Sequence, residues 1–160
     1  MARLTIENCA AQKSPGRLMR RIDKLMAAFI ESHFDTHEIS FQQWVSLKVV
    51  RDGVARNAGE LARELGHTTG ATTRLIDTLE ARGLIERDRS CVDRRVVRLV
   101  LTQEGEAQVL ALQGSVVDAW NEVLADFEQS EVDALVDGMT RLLAAVERMT
   151  GAEMIKELAE

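Results

Sequence analysis

The chain has 160 residues with two cysteines, Cys9 and Cys91, far apart, and no apolar run approaching the ~20 residues that cross a bilayer. That excludes a disulfide-framed protein and a helical membrane protein. No basic-then-apolar leader opens the sequence, so a cytoplasmic protein of one domain, residues 1–160, with no membrane partner is expected.

The net charge of −6 argues at first sight against a polyanionic partner, but its distribution is uneven. Residues 1–54 carry eight Lys/Arg against six Asp/Glu, and residues 55–98 carry nine against seven. Residues 104–160 carry three against thirteen, so the acid lies in the C-terminal part. Local sign governs polyanion binding more than the total does, because each neutralised phosphate releases counterions. A middle segment of only +2 must rely on groove fit and on pairing of two copies.

Residues 1–14 show mixed polarity and read as an arm. From Gly16 to about Phe34 the positions Leu18, Ile22, Leu25, Met26 and Phe29 fall at helical spacing. Ser40 and Gln43 form a capping box for a helix carrying Phe41, Trp44, Val45 and Val49 and ending near Gly53. Residues 53–56 suit a very short strand. Asn57 with Glu60 three residues on caps a short helix whose inner face is Leu61, Ala62 and Leu65, and Gly66 suits its C-terminus. Thr68 or Thr69 caps the next helix. There Thr72, Leu75, Ile76 and Leu79 form the inward stripe, and Gly83 closes it.

Leu84-Ile85 then leads into an arginine-rich loop and an alternating strand with Val97, Leu99 and Leu101 on one face. Helix, turn, helix and hairpin in that order make a winged helix-turn-helix over residues 40–102, in a mainly α chain with a small β-hairpin wing. Such a unit lays its second helix in a major groove. The outward positions near that helix's start are Thr69, Gly70, Ala71, Thr73 and Arg74. Small residues let a helix sink into the groove, threonine meets a phosphate or a thymine methyl, and arginine forks onto guanine. Thr69, Ala71, Thr72, Thr73 and Arg74 are therefore candidate DNA contacts, against the plain alternative of a solvated helix.

The loop weighs against that alternative. Six arginines (82, 87, 89, 94, 95 and 98) stand against Glu86, Asp88 and Asp93, with no lysine. Arginine suits narrow minor grooves and bidentate phosphate contacts. Asp93, two residues before Arg95, is placed to hold that guanidinium extended; its alternative role is simply to make the turn. Arg89, Asp93, Arg94 and Arg95 join the candidate DNA contacts.

Thr102 caps a long helix whose apolar residues include Val109, Leu110, Val116, Val117, Trp120, Val123, Leu124 and Phe127. That is too many for one stripe, so two faces are expected to meet partners. Ser130 with Asp133 is read as the cap of the last helix. Val132, Leu135, Met139, Leu142, Val146 and Met149 then step 3, 4, 3, 4, 3, a heptad-like seam flanked by Val136 and Leu143. A free-standing coiled coil needs more length, so the seam suits a bundle with the first helix and a partner chain; a monomeric core helix is the alternative. Segments 15–35 and 103–149 are accordingly expected to dimerise, through Leu18, Ile22 and the six seam residues.

The run Asp93-Arg94-Arg95 followed by Val97, Leu99, Leu101, Thr102 and Gly105 resembles the Asp-x-Arg wing of the MarR family, whose next strand also ends in Leu-Thr with a glycine three residues on. The segment TTRLIDTLEARGLIERDR is similar to that family's recognition helix and its exit into the wing. The likeness runs over roughly residues 17–149. It implies a homodimeric bacterial repressor that binds a pseudo-palindrome in double-stranded DNA and lets go when a small molecule or oxidant acts. It matches Arg74 to a position that reads bases in some members, and Arg95 to the wing-tip arginine that enters the minor groove.

The signal is less legible. The oxidant-sensing branch of the family pairs a cysteine near the first helix with tyrosines, and this chain has no tyrosine beside Cys9. Cys91 lies among Arg89, Arg94 and Arg95, which would lower its thiol pKa; a plain surface thiol is the alternative. His33 and His37, four apart, share a helical face that suits a metal. The zinc-responsive branch adds histidines on the helix after the wing, where residues 103–127 hold none, so no metal site and no cofactor are assigned. A small aromatic or anionic effector remains, with His33, His37, Trp44 and Lys48 bordering the implied cleft, or with Trp44 as plain core. A thiol- or metal-responsive regulator, and a winged helix that binds protein instead of DNA, are the other readings. No phosphate loop, ligand cluster or nucleophile with its base can be assembled, so no enzyme is expected.

Overall fold

A computed structural model of the chain describes residue 4, residues 14–34, 39–89 and 97–157, with the backbone alone for residues 152–157. Six helices and one hairpin follow in the order α1 (Pro15–Ser32), α2 (Phe41–Arg51), α3 (Ala58–Leu65), α4 (Thr69–Ala81), β1 (Ile85–Asp88), β2 (Arg98–Leu101), α5 (Gln103–Val123) and α6 (Gln129–Glu157). Helix, turn, helix and a two-stranded wing are a winged helix-turn-helix. Two compact units divide the chain, residues 1–119 and residues 120–160. Among the described residues no helix is long and apolar enough to cross a membrane.

In the first unit the helices start where side chains satisfy the free N–H groups of a first turn. Ser40 accepts from the Gln43 N–H while the Gln43 side chain accepts from the Ser40 N–H, the complete box expected at α2. One more donor there, the Phe41 N–H, goes to Glu31 Oε2 of α1 at 2.9 Å. At α3, Asn57 accepts from the Glu60 N–H at 3.0 Å, but Glu60 Oε2 accepts from the Arg56 N–H at 2.7 Å instead of closing the box on Asn57. Thr68, not Thr69, caps α4. Gly66 ends α3 with φ 63°, a left-handed conformation that turns the chain sharply toward α4 and that costs a β-carbon dearly.

Burial matches the expected stripe of α4 at Thr72, Ile76 and Leu79, but departs from it in α1, where Leu18, Ile22 and Leu25 are exposed, and in α2, where Leu47 and Val50 are buried and Phe41, Val45 and Val49 only half-buried. Met26, Ile30 and Phe34 from the α1 end, Trp44, Leu47 and Val50 of α2, Leu61 of α3, Ile76 and Leu79 of α4, Leu84, Ile85 and Leu99 of the wing, and Val109, Leu112, Val116 and Ala119 of α5 form one core. The two buried hydroxyls are satisfied within their own helices: Ser46 donates to Gln42 O at 2.7 Å and Thr72 to Thr68 O at 3.1 Å. Trp44 stacks on Phe41 with ring centroids 5.9 Å apart, and its indole N–H donates to Val109 O of α5 at 3.2 Å.

The wing pairs antiparallel, with Ile85 opposite Leu101, Glu86 opposite Val100, Arg87 opposite Leu99 and Asp88 opposite Arg98. Leu99 is buried and Leu101 half-buried while Arg98 and Val100 face outward, the alternation read from the sequence. Residues 53–56 do not form the strand expected of them. One backbone bond, from the Leu99 N–H to Arg56 O at 2.9 Å, ties that segment to β2, because the chain turns into α3 at once.

The root of the wing is locked to the start of α5. The Thr102 hydroxyl donates to Gly83 O at 2.6 Å and accepts from the Gly105 N–H at 3.0 Å, so the expected helix cap also fastens the end of α4. The Thr102 N–H donates to Leu84 O at 3.2 Å. A β-carbon on Gly105 would lie 2.0 Å from Leu84 O, so only glycine lets the helix approach.

In the second unit, α6 begins at Gln129, one residue ahead of the expected Ser130 cap. The Glu131 carboxylate reaches back to the Glu128 N–H at 3.0 Å and takes the capping role that sequence spacing assigned to Ser130. Of the seam residues Val132 is half-buried, whereas Leu135, Met139, Leu142, Val146 and Met149 are exposed, as are Val136 and Leu143.

The Gly105 contact yields a stability prediction. Alanine normally gains about 1 kcal/mol over glycine inside a helix. Here the clash with a backbone carbonyl should outweigh that gain, leaving Gly105→Ala destabilised by about 1–3 kcal/mol, as for overpacked cores. Urea unfolding monitored by helical circular dichroism measures it; an equal or higher midpoint would mean that the wing root gives way easily.

Candidate nucleic-acid interface

The outward face of α4 is built from its first turns. Thr69, Gly70, Ala71, Thr73 and Arg74 are all exposed. The Thr73 hydroxyl donates to Thr69 O at 2.9 Å. The Arg74 guanidinium has no ion-pair or hydrogen-bond partner among the described residues, while its carbonyl accepts from the Thr78 hydroxyl at 2.9 Å. Thr72 departs from the expected set: it is 1 % exposed and points into the core, so its side chain is not available at this surface. The helical period placed it in the inward stripe as well, and that placement decides its environment.

Arginines after α4 divide by environment. Arg82 Nη1 donates to Gln43 Oε1 at 3.2 Å. Arg87 is held by Asp77 at 2.6 Å and by Glu80, and its guanidinium pKa is raised, first by the hydrogen bond to Asp77. Arg89 and Arg98 are exposed at the two edges of the wing. Asp93, Arg94, Arg95 and Cys91 lie outside the described residues, as do Cys9 and His37. The engagement of Arg87 with α4 was not foreseen in the sequence. The only hint was a pair of carboxylates, Asp77 and Glu80, at i, i+3 on the helix ahead of an arginine-bearing strand.

Residues expected around an effector cleft are dispersed in environment. Trp44 is in the core. Lys48 pairs with Asp52 on its own helix. His33 caps the end of α1, with Nδ1 2.9 Å from Phe29 O and its ring edge-on to Phe29. An open groove of about 590 Å³ is lined by Glu80, Gly83, Ile85, Glu86, Thr102, Gln103, Glu104 and Ala107, none of them from that set. Among the described residues no group of three His, Cys, Asp or Glu side chains converges as a metal site.

Against known proteins, residues 39–97 match the model of the MarR family. The winged helix-turn-helix of this chain therefore resembles that of the MarR family over the matched segment. The matched segment runs from the residue before the α2 cap to the residue before β2, so it includes α4 and the first strand of the wing. The apo form of wild-type MarR from E. coli superposes with a TM-score of 0.70 at 25% identity, over 81% of this chain and 96% of that one. Two further likenesses are of fold. A cysteine-to-serine mutant of E. coli MarR complexed with operator DNA gives a TM-score of 0.72 at 24% identity, over 88% and 99% of the two chains. BpsR of Bordetella bronchiseptica, whose DNA binding is regulated by 6-hydroxynicotinic acid, gives 0.71 at 21% identity, over 82% and 94%. In the winged helix-turn-helix of this chain, the free polar face of α4 and the arginine-bearing hairpin are adjoining elements, joined through Arg87.

The presentation of α4 depends on its cap, in which the Thr68 hydroxyl accepts from the Ala71 N–H at 3.3 Å. Thr68→Ala should cost about 1 kcal/mol of stability, the usual value of a lost N-cap. Thermal unfolding checks this, and an unchanged midpoint would show that α3 packing alone holds the first turn of α4.

Proposed function

We propose that this protein is a dimeric, sequence-specific, DNA-binding transcriptional regulator. It acts as a repressor that leaves a pseudo-palindromic operator when a small aromatic or anionic effector binds. The observation that carries the reading is the outward face of α4 in a winged helix-turn-helix that resembles the MarR family's. There, small and hydroxyl-bearing residues surround an arginine whose guanidinium has no partner among the described residues, beside an arginine-rich hairpin. Arg74 reads base edges, while Arg89, Arg94 and Arg95 meet phosphates and the minor groove, with Asp93 bracing Arg95. The E. coli relative solved on operator DNA supports this use of the fold.

Two separate observations support dimerisation. In α1, Leu18, Ile22 and Leu25 are exposed, and in α6 the seam from Leu135 to Met149 is exposed; contiguous apolar stripes on two helices are not left to water. A single wing unit also offers too few contacts for a specific site, and a net charge of +2 over residues 55–98 supplies little non-specific affinity. A symmetric dimer doubles both contact sets and imposes a half-site spacing. Regulation is then a population shift: an effector that prefers a spacing of the two α4 helices unlike the DNA-bound one weakens binding by its differential affinity. The regulatory relative BpsR supports a small aromatic acid as the effector class.

Two outcomes are expected. Selection of bound sequences from random duplexes should yield a palindromic operator. On it, Arg95→Ala should lose about 1–3 kcal/mol of affinity, and Arg74→Ala should relax preference among operator variants. Failure to enrich any sequence at low salt would refute the DNA-binding reading. In sedimentation, Leu142→Glu should convert dimers to monomers, since a charge in an apolar seam is strongly unfavourable; a dimer that survives it would move the interface elsewhere.

A further inference from the structure

Arg87 stands opposite Leu99 in the hairpin, yet its guanidinium leaves the wing and grips α4. Nη2 donates to Asp77 Oδ1 at 2.6 Å, and Nη1 donates to Glu80 Oε2. The two carboxylates are one helical turn apart, and Asp77 follows Arg74 by one turn on the same helix. An isolated surface ion pair would contribute little. A planar guanidinium forked across two carboxylates of another element is different, because its five donors hold a fixed geometry. The raised pKa of Arg87 keeps the clamp charged throughout the range in which proteins fold.

The clamp meets two physical needs. Two strands of four residues cannot hold their own orientation, since an isolated hairpin is marginal in water. The wing root is fastened by Thr102 and Gly105 and by the burial of Leu84, Ile85 and Leu99, and Arg87 adds a tie from the outer part of β1 to the exposed side of α4. Asp77 and Glu80 would also repel phosphates beside Arg74 if they were left uncompensated.

We infer that Arg87 is a positioning residue for DNA recognition: by gripping Asp77 and Glu80 it sets the wing against α4 so that both reach the duplex in register. It does not itself contact phosphate. This rests on the DNA-binding reading proposed above and deepens it.

The test uses the full chain and the selected operator in fluorescence anisotropy titrations at a series of salt concentrations. Arg87→Gln should weaken binding about tenfold, with the slope of log K against log salt unchanged. Arg87→Lys should recover only part of the loss, because an ammonium cannot fork. Asp77→Asn with Glu80→Gln, which leaves Arg87 in place on an exposed helix face, should also weaken binding severalfold although it removes two negative charges near the DNA. Two results would overturn the assignment: a slope shallower by about 0.9 in Arg87→Gln, the signature of a lost phosphate contact, or a double variant that binds as tightly as the parent or more so. If the parent chain itself binds no duplex, the DNA-binding reading fails and the inference falls with it; a binding parent with unaffected variants sinks the inference alone.

Discussion

Everything presented outward by this fold hangs on the knot where α4, the wing and α5 meet. The Thr102 side chain is its centre, donating to the carbonyl that follows α4 and accepting from the first turn of α5, while its backbone N–H is bonded to Leu84. One hydroxyl thus joins the exit of the helix that carries Arg74 to the entry of α5. Gly105 makes the knot possible, because a side chain there would occupy the space of the Leu84 carbonyl. Hydrogen bonds of this kind contribute only about 1 kcal/mol each, but leaving the buried partners unpaired costs more. Their worth is therefore geometric: the elements can separate only by exposing several backbone groups together.

From that knot the division of labour among charged groups follows. Arginines near the junction are engaged within the fold, Arg82 by Gln43 and Arg87 by Asp77 and Glu80. The Arg74 guanidinium on the outward face of α4 has no partner among the described residues. The acidic total of the chain arises from residues after the wing and does not describe the face that a polyanion would meet. With so little excess positive charge in the middle segment, recognition by shape and by duplicated contacts has to supply what bulk attraction does not.

The legibility of the fold varied with the range of the forces involved. The caps at Ser40, Asn57, Thr68 and Thr102 were readable because each joins a side chain to a backbone N–H two or three residues away. The start of α6 was misread for a related reason: Ser130 has the right residue type, but Glu131 satisfies the N–H of Glu128 first and the helix begins earlier. Thr72 was readable as core from its period, and its chemistry as a hydroxyl gave the competing and incorrect outward placement. Trp44 had two readings of similar standing, and the choice required knowing that Val109, sixty-five residues on, offers a carbonyl to its indole.

By itself the sequence determined the capped starts of α2, α3 and α5, the inward stripe of α4, the hairpin with its alternating second strand, and the concentration of arginine beside a small-residue helix face. All of these are written in spacings of two to four residues, where local hydrogen bonds and periodic burial act. Only the tertiary structure decided that Arg82 and Arg87 are engaged within the fold, that residues 53–56 are tied to β2 by the bond from Leu99 to Arg56, and that Trp44 belongs to the core. Those outcomes depend on groups distant along the chain arriving at one place, and no short-range pattern encodes the direction from which a guanidinium or an indole will find its partner.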